Sequence, residues 1–103
     1  MKCAVLGAGS FGTALSMQLA RCGHDVHQWD RKPERAARFQ AARENTRYLP
    51  GIPFPDGMTV TADVRKTLEG ASLVVAVVPS QSMRAVMTDV ASMLEPDAVI
   101  CCA

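Results

Sequence analysis

Three glycines near the start of the chain, Gly7, Gly9 and Gly12, stand in the spacing G-x-G-x-x-G. That spacing suits the holding of a diphosphate. The first glycine permits a tight turn, the second lets the backbone approach the pyrophosphate, and the third allows close packing of helix on strand. Such a turn needs a buried strand before it and a helix after it, whose N–H groups and partial positive charge face the anion. Both can be read. Cys3 to Leu6 is a continuous apolar run, and from Phe11 onward Ala14, Leu15, Gln18, Leu19 and Cys22 recur at helical spacing before Gly23. Ser10 and Phe11 fall inside the turn itself. A purely structural glycine turn is the bland alternative, and the flanking strand and helix speak against it.

A second chemical group closes the next strand, in Trp29-Asp30-Arg31-Lys32. Asp30 lies 18 residues after Gly12, near the spacing of a carboxylate that binds the adenosine ribose hydroxyls, which would select NAD. Arg31 and Lys32 suit a 2′-phosphate instead, which would select NADP. Asp30 also fits a plainer role, starting the helix that follows. Residues alone leave NAD or NADP open. Pro79, Ser80 and Gln81 follow another apolar run, at the carboxyl end of a strand where open α/β sheets bind ligands. They are expected to border the nicotinamide, while Pro79 stops the strand and Ser80 caps the next helix. His24 and His27 match no metal-ligand spacing, and neither Ser10 nor Ser80 has a placed histidine beside it. No metal ligand and no catalytic residue is assigned.

The elements that must position these groups alternate. Strands are expected at residues 2–6, 25–29, 58–61, 72–78 and 98–103, the last of them buried. Helices are expected after the glycine turn, from Pro33 to Ala42, from Asp63 to Glu69, and from Ser80 to Pro96. The last carries one apolar stripe of Met83, Val86, Met87, Val90 and Leu94. Strand–helix alternation of this kind predicts an α/β fold, a Rossmann-type doubly wound parallel sheet in three layers. Between Arg43 and Gly57 four glycines and prolines crowd into Pro50, Gly51, Pro53 and Pro55, so this stretch reads as a functional loop.

The 103 residues suit one domain, 1–103, and 49% hydrophobic content suits a folded core. A net charge of +1 singles out no nucleic-acid partner, and none is expected. Six basic residues between Arg31 and Arg47 face only two acids, so this run reads either as a solvated face or as an anion-facing rim. The four cysteines, Cys3, Cys22, Cys101 and Cys102, form no C-x-x-C pair and read as small buried thiols of a reduced, cytoplasmic protein. No apolar stretch approaches the roughly 20 residues of a membrane span.

Three separated segments, VLGAGSFGTAL (5–15), NTRYLPGI (45–52) and VVPSQSMR (77–84), together resemble the bacterial type of NAD(P)-dependent glycerol-3-phosphate dehydrogenase. The resemblance implies hydride transfer between NAD(P)H and dihydroxyacetone phosphate, a small phosphorylated triose, giving sn-glycerol 3-phosphate for phospholipid synthesis. It implies that Ser10 and Phe11 touch the cofactor, that Arg31 and Lys32 face its adenosine side, and that Tyr48 contacts it from the loop. In that family Phe11 is often Trp, and the position of Asp30 is often a small residue. The family's proton-transferring lysine belongs to a second, helical domain, and another lysine follows the fifth strand; Lys2, Lys32 and Lys66 match neither. The chain is therefore expected to be the cofactor-binding part of a longer enzyme, cut before its substrate domain, with a homodimer left open. Two alternatives stand beside this reading. One is the cofactor domain of another two-domain hydroxy-acid or keto-acid dehydrogenase, and the other is a nicotinamide-sensing module without chemistry.

Overall fold

The computed structural model describes residues 1–102, apart from the side chain of Ser80. Five parallel strands form one sheet: β1 (Lys2–Leu6), β2 (Asp25–Trp29), β3 (Met58–Thr61), β4 (Leu73–Ala76) and β5 (Val99–Cys102), in the order β3-β2-β1-β4-β5. The connections are filled by α1 (Ser10–Arg21), α2 (Pro33–Ala42), α3 (Val64–Leu68) and α4 (Ser80–Val90). The chain steps outward from β1 to β3, then returns to the other side of β1 for β4 and β5. The switch point therefore lies between β1 and β4, where a ligand crevice is expected. Leu6 pairs with Trp29 on one side and Ala76 on the other, so three strands end level at that crevice.

The alternation of β1 explains the layers. Cys3 and Val5 point to one face, against Met17 and Ala20 of α1 and Ala36 and Phe39 of α2. Ala4 and Leu6 point to the other, against Leu68 of α3 and Val90 of α4. Both faces are covered, which is why Cys3 to Leu6 are all 0% exposed and why the strand reads as an unbroken apolar run. The three-layer doubly wound arrangement predicted from the alternation is present. Where α1 ends, Gly23 takes φ +93° and donates to the Ala20 carbonyl while His24 donates to that of Leu19. This paired closure needs the left-handed residue that glycine supplies. Pro33 begins α2, where its missing N–H is harmless.

The structure departs from the sequence expectations in several places. β4 stops at Ala76, short of residue 78: Val77 still donates to the Leu6 carbonyl at 2.8 Å, and the chain then leaves the sheet to wall the crevice. Ser80 is the first residue of α4 and Pro79 is its N-cap, because the Pro79 carbonyl accepts the first bond of the turn, from the Ser82 amide at 2.8 Å. That helix ends at Val90 and tightens into a 3-10 turn over Ala91–Met93, so Leu94 is extended well before Pro96. Along its stripe Val90 is buried, and Val86, Met87 and Leu94 pack against the same core. β5 is not buried: it pairs only with β4, its four residues are exposed, and Val99 is 61% exposed. The expected end of that strand, Ala103, lies outside the described residues. Of the cysteines, Cys3 alone is buried; Cys22 sits at the open end of α1, and Cys101 and Cys102 lie on the uncovered β5.

Candidate functional site

The chain leaves β1 at Gly7 with φ +135°, and a β-carbon there would run into the Val77 carbonyl oxygen. The turn is thus wedged into the switch point, between the ends of β1 and β4. Gly12 is constrained from behind: its β-carbon would stand 2.6 Å from the Gly7 carbonyl oxygen, so α1 can pack this close to the turn only without a side chain. Gly9 differs from both. Its backbone is extended, with φ −75° and ψ −173°, and nothing lies within 4 Å of where a β-carbon would be. Gly9 is the N-cap of α1, no side chain caps that end, and no acid stands in its first turn. The first N–H groups of a helix have no carbonyl within the helix to bond, and here no side chain caps them at the positive end of the dipole.

Two buried amides hold this turn in shape. Gln28, 1% exposed on β2, donates through Nε2 to the Gly7 carbonyl at 2.8 Å and to Thr13 Oγ1 at 3.2 Å. Asn45, also 1% exposed, donates through Nδ2 to the Ala8 carbonyl at 3.0 Å and to Thr13 Oγ1 at 2.8 Å. Its Oδ1 accepts from the backbone N–H groups of Tyr48 and Arg47, at 2.9 and 3.2 Å. One side chain therefore ties the proline-rich loop to the glycine turn. Against the glycine turn they hold lies a cavity of about 540 Å³, within the range of small-ligand sites. Gly7, Ala8 and Gly9 form its floor, Val77, Val78 and Pro79 one wall, and Tyr48 with Arg47 the loop side.

Trp29, Asp30, Arg31, Lys32 and Arg35 line its far end, and Ser82 and Val86 of α4 line it as well. Asp30 is 2% exposed, and its carboxylate receives a two-pronged ion pair from Arg35, with Nε at 2.6 Å from Oδ2 and Nη2 at 2.8 Å from Oδ1. The Lys32 amide adds a third bond to Oδ1 at 3.1 Å. Burial alone acts to raise the carboxyl pKa, but the Arg35 hydrogen bonds, the Lys32 amide and the two positive charges outweigh it and hold it low. The same hydrogen bond raises the Arg35 pKa. Asp30 thus organises the turn that leads into α2, the plainer of its two expected roles, although Lys32 is the N-cap residue.

The structure brings Gly7, Gly9, Asp30, Arg31, Lys32, Tyr48 and Pro79 to one cavity. Ser10, Phe11 and Gly12 do not line it: Gly12 lies behind the turn, and Phe11 is 59% exposed at the start of α1. Ser80 begins α4, and its side chain lies outside the described residues. The basic run divides. Arg31, Lys32, Arg35 and Arg47 face the cavity, while Arg43 donates to the carbonyls of Met58 and Pro55 and stacks on Phe54. Arg38 does not reach it. Sequence reasoning missed Gln28, Asn45 and Arg35. Gln28 shares a face with buried Val26, so strict alternation along β2 pointed it inward. Arg35 carried no such signal, since a pairing five residues from Asp30 follows from the turn alone.

The arrangement suits an elongated anion. A helix end that lacks both cap and acid, a glycine whose missing side chain leaves the cradle open, and the exposed cations Arg31, Lys32 and Arg47 at the rim fit a dinucleotide diphosphate. The cavity lining includes no histidine or cysteine, and its one carboxylate, that of Asp30, is paired with Arg35. Among the described residues, no helix is long and apolar enough to cross a membrane.

A family model described as NAD-dependent glycerol-3-phosphate dehydrogenase N-terminus matches residues 2–103. Curated relatives named glycerol-3-phosphate dehydrogenase (NAD(P)+) include one from Hydrogenovibrio crunogenus, 52% identical over 84 residues, which are 82% of this chain and 24% of that protein. Another, from Thioalkalivibrio sulfidiphilus, is 52% identical over 88 residues, 85% of this chain and 26% of its own. The chain thus spans about a quarter of the length of these relatives. Among solved structures, glycerol-3-phosphate dehydrogenase from Coxiella burnetii superposes with a TM-score of 0.94 at 36% identity, over 99% of this chain and 31% of that one. The Saccharomyces cerevisiae enzyme, at 20% identity and a TM-score of 0.90, covers 100% of this chain and 33% of its own and shares the fold.

Proposed function

This chain belongs to the family of NAD-dependent glycerol-3-phosphate dehydrogenase N-terminal domains, and on that premise we propose that it is the dinucleotide-holding part of a longer enzyme. That enzyme interconverts sn-glycerol 3-phosphate and dihydroxyacetone phosphate and supplies glycerophospholipid synthesis. The observation that carries the reading is the crevice between β1 and β4, floored by Gly7 to Gly9 and closed by the Asn45-tethered loop. When bound, the nicotinamide would supply or accept the hydride. The chain's own residues bind and orient. Gly7 to Gly9, at the N-terminal end of α1, receive the diphosphate; Arg31 and Lys32 take the adenosine end; Tyr48, Pro79 and Ser80 border the nicotinamide side. Domain 1–103 acts as one unit in this scheme.

Four free thiols support placing the enzyme in the reducing cytoplasm, and a homodimer is part of the same proposal through the family. The test is hydride transfer by the full-length protein. Oxidation of NADPH or NADH on addition of dihydroxyacetone phosphate is expected, and the 103-residue chain alone is expected to give none. Oxidation driven by a hydroxy-acid or keto-acid substrate pair, and not by the triose phosphate, would replace this reading.

A further inference from the structure

An acid at the end of the second strand ordinarily faces the ribose diol and repels a 2′-phosphate. Asp30 occupies that place, yet its carboxylate is engaged on both oxygens by Arg35 and again by the Lys32 amide. A planar guanidinium fork meets a carboxylate edge-on with two parallel bonds, and this geometry fixes both partners. Asp30 is 2% exposed and the Arg35 side chain 16%, so the pair sits under the rim, and both residues line the cavity. Arg31 and Lys32 are exposed at the same rim and have no ion pair among the described residues.

We propose that the Asp30–Arg35 ion pair sets cofactor choice. Arg35 is a positioning residue that withdraws the Asp30 carboxylate from the ribose, leaving Arg31 and Lys32 to receive a 2′-phosphate, so that the protein prefers NADPH to NADH. This rests on the dinucleotide reading above and adds to it which of the two cofactors the site selects, and by which residue. Removing Arg35 alone frees a carboxylate at the ribose position. It then pairs with the diol of NADH and repels the phosphate of NADPH. Removing both charges takes away the lock and the carboxylate together, and the preference returns.

The experiment is equilibrium titration of the full-length protein with NADPH and with NADH, followed by cofactor fluorescence. Wild type is expected to bind NADPH more tightly. R35M lowers the NADPH-to-NADH affinity ratio by about tenfold or more, and D30N/R35M restores it to within about threefold of wild type. R31A/K32A, at exposed positions, lowers the NADPH-to-NADH affinity ratio by about tenfold. The inference is overturned if wild type prefers NADH, if R31A/K32A leaves the ratio as it was, or if D30N/R35M stays as low as R35M. It is overturned equally if D30N/R35M loses NADH binding about tenfold, which would mean that Asp30 holds the ribose directly. Binding of neither cofactor by wild type would instead remove the dinucleotide reading itself.

Discussion

A β-carbon on Gly7 would meet the Val77 carbonyl and force an L-residue to φ +135°, whereas one on Gly9 would meet nothing. The two glycines therefore serve different ends. Gly7→Ala is expected to cost about 3 kcal/mol or more of stability, read by urea unfolding. Gly9→Asp places a favoured N-cap at α1 and is expected to leave stability unchanged or raise it by up to about 1 kcal/mol. A comparable loss in both would show that Gly9 is needed for the fold and not for a ligand. Asp30 carries a pH signature. Its carboxyl is held below that of an ordinary aspartate, about 3.9 when unfolded, so the stability it contributes is present above that value. It is lost as pH falls through about 3.9 toward the lower folded value. Thermal midpoints of wild type should fall more steeply than those of Asp30→Asn below about pH 4; parallel curves would mean the pair adds no stability. At this scale the glycine spacing was readable because each glycine answers a backbone constraint. Arg35 was not, because a long side chain finds its partner only after the turn has formed.

The proline-rich stretch between Arg43 and Gly57 shows how a segment with little regular structure is still placed. Arg43 adopts φ +53° at the end of α2 and is held there by the carbonyls of Met58 and Pro55. Phe54 is buried, and its amide donates to the Arg43 carbonyl. Asn45 then joins this loop to the glycine turn through four hydrogen bonds. Asn45→Ala should leave the Ala8 carbonyl and two loop amides without that partner. An expected loss of about 2–3 kcal/mol in unfolding free energy, with weaker dinucleotide binding, checks the tether. Unchanged values of both would show that the loop holds itself. Composition marked the stretch as a loop but gave no reason for it to be ordered, since that reason is a buried amide contacting a turn 37 residues away. The helices α1 to α3 and the strands β1 to β3 were legible because apolar period and turn residues are local. The early end of β4 was not, because Val77 and Val78 are as apolar as the strand before them and leave it only to wall the crevice.

As a whole the molecule is a sheet finished on one side and open on the other. β3 is covered by α2, while β5 leaves Val99 and Ile100 at 61% and 42% exposure. The apolar run of β5 was read as buried because burial on both faces is the usual meaning of such a run in a parallel sheet. What covers a strand is a property of the assembled protein and not of its own residues. The crevice between β1 and β4 is lined by residues of several elements, and the sole tryptophan, Trp29, is among them while its indole Nε1 donates to the Ala62 carbonyl at 3.0 Å. That position makes the most direct test of the central claim a titration of the folded 103-residue chain with NADPH, exciting Trp29 and recording both its emission and that of the reduced nicotinamide. A saturable loss of tryptophan emission is predicted for wild type and its absence for an equally stable Gly9→Asp. A folded wild type that gives no response, or a Gly9→Asp variant that responds as wild type does, would contradict the assignment of the glycine turn as the diphosphate cradle.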